Sequence, residues 1–134
     1  MRPRLSAEFQ LLRQVYAGAE HAEQGGEDWF RLPAYRFPPG WRLGECDIAE
    51  APVAFKVVAT YPAGEPYGFA VPMELNFEGA TPQNAAASVT TPFGETCRLF
   101  SWQPDGWFPT DDPRIGSNLL AWARSFVHRL KEGA

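Results

Sequence analysis

The spacing of apolar positions changes character along this chain, and the changes mark out its elements. Phe9, Leu12, Tyr16 and Ala19 recur at intervals of three and four. That stripe predicts a helix from about Ser6 to Ala19, with Ser6 as its cap. Gln24-Gly25-Gly26-Glu27-Asp28 breaks the pattern. Phe30 and Leu32 then alternate with polar neighbours, and Pro38-Pro39-Gly40 reads as a turn. Val53, Phe55, Val57, Ala59 and Tyr61 hold every second position, as do Tyr67, Phe69, Val71, Met73, Leu75 and Phe77. Each set makes one face of a strand apolar. The Pro62-to-Pro66 turn between them predicts an antiparallel pair. Pro72 puts the second strand at an edge or bends it.

From Gly79 to Gly94 the residues are small, polar and poor in strand formers, so a long irregular segment is expected, of the kind that often carries function. Phe100 to Pro109 forms a second, aromatic-rich irregular stretch. Pro113 and Ser117 introduce a closing helix to about Lys131, with Leu119, Ala123, Phe126 and Leu130 as its buried stripe and Gly133 as its stop. Twelve of the thirteen prolines lie between Pro33 and Pro113, which excludes long helices there. The expected fold is α+β: an N-terminal helix, an antiparallel sheet of about four strands, a long irregular segment and a C-terminal helix. The helices pack on one face of the sheet.

Length and composition narrow this further. The 134 residues suit one domain, and 45% hydrophobic content is enough for a core. The net charge of −4 repels phosphate backbones, so no nucleic-acid partner is expected. Arg124, Arg129 and Lys131 read as dipole-complementing residues late in a helix. No apolar run is long enough to span a bilayer, and the N-terminus lacks the apolar core of a signal peptide. A cytoplasmic location with two free thiols, Cys46 and Cys97, is therefore expected. His21 and His128 stand alone and no Cys-x-x-Cys occurs, so neither a metal nor another cofactor is expected. Two histidines and no Gly-x-Ser-x-Gly leave little for a serine hydrolase.

Several local stretches together resemble the ubiquitin-conjugating enzymes. Leu5-Ser6-Ala7-Glu8-Phe9 is similar to that family's first-helix pattern Arg-Leu-x-x-Glu-Leu. Tyr61-Pro62-Ala63-Gly64-Glu65-Pro66 is similar to its Tyr-Pro-x-x-Pro-Pro turn. Gly94-Glu95-Thr96-Cys97 is similar to its Gly-x-x-Cys, and Trp107-Phe108-Pro109 to its Trp-x-Pro. A tighter likeness is to a divergent bacterial branch, the prokaryotic family lettered E. For that branch the matching stretches are Phe37-Pro38-Pro39-Gly40, Thr60-Tyr61-Pro62, Thr81-Pro82-Gln83, Phe93 to Gln103, and Asp111-Asp112. Three departures stand out, the first being Cys97 itself, at a position where that branch tends to have Trp. The enzymes' His-Pro-Asn is missing, with Pro82-Gln83-Asn84 the nearest echo. The branch's Ser-Arg-His appears as Ser101-Trp102-Gln103.

The resemblance implies that Cys97 accepts the C-terminal carboxyl of a ubiquitin-like modifier as a thioester and passes it to a target amine. Asn84 would stabilise the oxyanion, and Asp111 or Asp112 would orient the amine. It also implies an activating-enzyme homologue as partner and, in some relatives, a setting in antiviral defence. The plainer readings are a Cys97 packed as a small apolar side chain, an Asn84 that makes a turn and aspartates that precede a helix. Cys46, in Gly44-Glu45-Cys46-Asp47, matches no motif and is read as structural. The alternative function is a catalytically inactive binding module or scaffold of the same fold.

Overall fold

Pro3 starts the first helix. Its missing N–H is among those a first turn leaves unbonded anyway, and the computed structural model, which describes residues 1–134, places α1 at Pro3–Val15. Arg2 is the capping residue and Ser6 lies inside, its N–H already bonded to the Arg2 carbonyl at 2.9 Å. The buried face is Leu5, Glu8, Phe9 and Leu12, so the stripe begins one turn earlier than the apolar spacing predicted.

Nine strands follow, where about four were expected. They are β1 (Glu20–Gln24), β2 (Glu27–Arg36), β3 (Trp41–Leu43), β4 (Cys46–Asp47), β5 (Glu50–Val57), β6 (Phe69–Pro72), β7 (Leu75–Phe77), β8 (Ala87–Thr90) and β9 (Thr96–Phe100). Six form an antiparallel sheet in the order β1-β2-β5-β6-β9-β8, and three form a small sheet, β4-β3-β7. Helix α2 (Leu119–Lys131) closes the chain. Asn118 caps it, its Oδ1 accepting the Ala121 N–H at 2.8 Å. No helix is long and apolar enough to cross a membrane.

The predicted antiparallel pair exists, β5 against β6, with Ala54 opposite Ala70. The long alternating run from Tyr67 to Phe77 is two strands in two sheets. Pro72 ends β6, and a turn at Met73 and Glu74 redirects the chain into β7. Pro33 has a comparable effect in β2, where pairing with β5 shifts register between Leu32 and Tyr35.

Both helices cover one face of the six-stranded sheet. Phe126 of α2 stacks on Phe69 at 4.2 Å between centroids and meets Phe55 edge-on at 5.5 Å. Phe9 of α1 packs on Phe30 at 5.5 Å. The predicted α2 stripe, Leu119, Ala123, Phe126 and Leu130, is wholly buried. Tyr35 donates to the Ala123 carbonyl at 2.6 Å and Trp41 to the Leu130 carbonyl at 2.9 Å, fixing α2 to both sheets. Burying these aromatics is worth roughly 2–3 kcal/mol each before ordering costs. A second, smaller cluster, Trp29, Ala54, Ala70 and Cys97, occupies the opposite face of the sheet.

Arg129 is not a surface cation at the helix end. It is buried, donates to the carbonyls of Gly133 at 2.7 Å and Gln83 at 2.8 Å, and lies 4.7 Å from the Phe100 ring centre. It thereby ties the stretch before β8 to the end of α2. Burial pushes its pKa below the ordinary arginine value.

Candidate functional site

Gly94 adopts φ +84 in the turn that joins β8 to β9, where the Thr91 N–H bonds the Glu95 carbonyl at 2.8 Å. A residue with a Cβ is strained at that angle, which accounts for glycine here. The Gly-x-x-Cys spacing therefore spells a hairpin turn followed by the start of β9. Cys97 sits within that strand, opposite Pro72 of β6 on one side and Val89 of β8 on the other. Strand alternation sends Phe100 into the helix-covered core and Cys97 to the other face, beside Trp29, Ala54 and Ala70. Phe93, Val89 and Leu99 pack around this cluster. Arg31 closes its rim by bonding Glu95 at 2.7 Å and Glu20 at 2.9 Å.

The Cys97 side of the molecule is poorly suited to nucleophilic work. The residue is only 5% exposed. Burial, with help from the Glu95 and Glu74 charges and against that of Arg31, pushes its thiol up to about 11. A thiolate nucleophile needs the opposite shift and an approach path.

The other predicted residues do not converge on Cys97. Asn84 is exposed, at φ +55, and its carbonyl accepts the Ser101 N–H at 2.8 Å. Four residues of β9 direction separate Ser101 from Cys97, roughly 13 Å at ordinary strand rise, so the Asn84 amide is out of reach of a carbonyl held on that sulfur. Asp111 is exposed, in the loop that leads into α2. Asp112 accepts three bonds from Arg114, from its N–H at 2.9 Å and its guanidinium at 3.1 Å twice. Those bonds hold its carboxyl below the usual range and make it a weaker base. This loop is tethered to the helix layer by an Arg4 bond to the Thr110 carbonyl, whereas Cys97 lies on the sheet's far face. Cys46, read as structural, is exposed on β4; both cysteines are free thiols.

Three of the motifs that carry the family likeness do meet, at a cluster that does not include Cys97. The Glu8 carboxylate is fully buried. It accepts from Arg4 Nε at 2.8 Å, from the Leu119 N–H at 2.7 Å and from the Tyr61 hydroxyl. Trp107 Nε1 donates to the Pro62 carbonyl at 2.7 Å, with its ring 5.8 Å from that of Tyr61. The buried hydroxyl of Tyr61 titrates well above a free tyrosine, first through desolvation and then through the Glu8 charge. Glu8 thus joins α1, the turn after β5 and the N-terminus of α2, where a carboxylate also complements the helix dipole.

Beside this cluster the loop from Phe108 to Ser117 is tightly bonded to itself. Ser117 N–H donates to the Phe108 carbonyl at 3.0 Å and Phe108 N–H to Ser117 Oγ at 2.8 Å. Thr110 Oγ1 bonds the Ile115 carbonyl at 2.8 Å. The loop displays Phe108, 75% exposed, and Ile115, 58% exposed. In sequence Phe108 stands out only as the middle residue of Trp107-Phe108-Pro109, and nothing marks Ile115. No three His, Cys, Asp or Glu side chains come together as a metal site. Comparison with protein-family models, with curated proteins and with solved structures found no match to this chain.

Proposed function

We propose that this chain is a binding module of the ubiquitin-conjugating type, one that engages partners through its surface and does not carry a modifier on Cys97. The observation behind this reading is the position of the sulfur: 5% exposed, paired on both sides within a sheet, with its thiol pushed up to about 11. Neither Asn84 nor the Asp111-Asp112 pair lies where a thioester on Cys97 would need it. The convergence of Glu8, Tyr61-Pro62 and Trp107 supports the likeness at the level of architecture, and the helix–sheet–helix order agrees with it. The self-bonded Phe108–Ser117 loop supplies a preorganised apolar contact, the kind that anchors interfaces. The partners proposed from the resemblance are a ubiquitin-like modifier and an activating-enzyme homologue, in a bacterial modifier pathway that includes antiviral defence among its settings.

Titration of the isotope-labelled chain with a ubiquitin-like modifier protein, followed by NMR, tests this. The expected result is saturable binding that is unchanged in Cys97→Ala and weakened roughly tenfold in Phe108→Ala. A reductant-sensitive adduct between modifier and chain, formed with an activating enzyme and lost in Cys97→Ala, would restore the thioester function and overturn the module reading.

A further inference from the structure

The stretch Gly79 to Gly94 contains no Asp, Glu, Lys or Arg, in a chain with 28 such residues (12 basic and 16 acidic). It was expected to be irregular, yet it holds β8, the outermost strand beside β9. Ala87, Ser88 and Thr90 are exposed there. The bond from the Thr91 N–H to the Glu95 carbonyl fixes the ladder's phase. In an antiparallel ladder, hydrogen-bonded and non-bonded pairs alternate. Ala87, Val89 and Thr91 therefore direct their N–H and C=O groups at β9, and Ser88 and Thr90 direct theirs at solvent.

Unpaired edges of this kind are usually blunted by charge, proline or a bulge. The other sheet edges are. Strand β1 carries Glu20 and Glu23, β4 is two residues long with Asp47 beside Glu45, and the three residues of β7 are flanked by Glu74 and Glu78. Strand β8 has none of these devices within its span.

We propose that β8 is a docking edge for a second copy of this chain. Two β8 strands pair antiparallel about a two-fold axis at Val89, joining two six-stranded sheets into one. In that register Ser88 exchanges both backbone bonds with Thr90 of the second copy, and Thr90 with its Ser88. Val89 meets Val89 as a non-bonded pair, with Cβ atoms about 5 Å apart. That contact falls on the face where Trp29, Cys97 and Phe93 already form an apolar cluster. The hydroxyls of Ser88 and Thr90 meet on the other face. The strand's own pattern, apolar Ala87 and Val89 alternating with hydroxyl Ser88 and Thr90, is the complement the edge requires. Charge selects the same edge: two copies of net charge −4 bring carboxylates together at β1, and bring none together at β8.

Sedimentation velocity of the full chain over a wide concentration range is the test. The expected result is a monomer that converts to a dimer as concentration rises. Thr90→Pro and, separately, Ser88→Pro each remove an N–H that faces solvent and leave the backbone bonds to β9 in place; Ser88→Pro also keeps the 3.3 Å bond between the Thr90 and Thr96 hydroxyls, which Thr90→Pro loses. Both are expected to stay monomeric throughout, with unchanged far-ultraviolet circular dichroism. A wild-type chain that is monomeric at every concentration overturns the proposal, including the case where it instead takes up an added extended peptide at β8. So does a dimer that persists in either folded proline variant.

Discussion

Replacing Glu8 by Ala removes the acceptor for three donors at once: Arg4 Nε, the Leu119 N–H and the Tyr61 hydroxyl. The Leu119 N–H and the Tyr61 hydroxyl are left buried without a partner, at about 1–3 kcal/mol each. Arg4 is partly exposed and keeps its bond to Thr110, so its loss contributes less. The expected cost is about 4 kcal/mol, a large share of the stability of a domain this size. At roughly 3–4 °C per kcal/mol, the Tm falls by about 12–16 °C. Tyr61→Phe removes one donor, leaves Glu8 bonded to Leu119 and Arg4, and is expected to cost about 1.5 kcal/mol. Because both variants delete the same bond, the double variant should fall short of the sum by about 1 kcal/mol or more. Urea unfolding of the four proteins measures all three quantities. A Glu8→Ala cost below about 1 kcal/mol, or strict additivity with Tyr61→Phe, refutes the view that this carboxylate holds α1, the turn after β5 and α2 together.

Arg129→Met keeps the apolar stem but deprives the Gln83 and Gly133 carbonyls of their donor; we expect a cost of about 2–3 kcal/mol in urea unfolding. Hydrogen exchange at the Ser101 amide, which depends on the Asn84 carbonyl just past Gln83, should quicken in the same variant. Cys97 gives a pH signature. Its folded value of about 11 lies above the ordinary thiol value of about 8.5, so folding favours the protonated form. Its contribution is complete below about pH 8.5 and is lost as pH rises through about 11. Unfolding midpoints should therefore decline more steeply in this alkaline window for the wild type than for Cys97→Ala. Equal slopes would contradict the assignment.

The helices and the central strands were legible because their signals are local. Leu119, Ala123, Phe126 and Leu130 define a helical face without reference to anything else, and Val53, Phe55 and Val57 define a strand face in the same way. The unread parts depend on distant partners. Strand β8 has only Ala87 and Val89 as apolar positions and is a strand because β9 lies beside it. The run from Tyr67 to Phe77 keeps perfect alternation through the corner at Met73, so period alone does not report the change of sheet. Glu8 and Arg129 look like surface charges in sequence; their burial follows from a carbonyl, an amide and a hydroxyl supplied 46 to 111 positions away. For the candidate site, the spacing from Gly94 to Cys97 fits both a thiol presented on a turn and a strand residue packed on a sheet. The register against Pro72 and Val89 decides for the second.

Native-state labelling with a small thiol reagent, with Cys46 and Cys97 read separately by mass spectrometry across a pH series, reads out whether the Cys97 sulfur is closed to reagents in the folded chain. With a thiol at about 11, Cys97 is only about 0.1% thiolate at pH 8, and the strand pairing shields it further. Rapid modification is expected at exposed Cys46, and at Cys97 only on unfolding. Cys97 labelling in the native protein as fast as Cys46 near neutral pH would contradict this and return the sulfur to the role of acceptor.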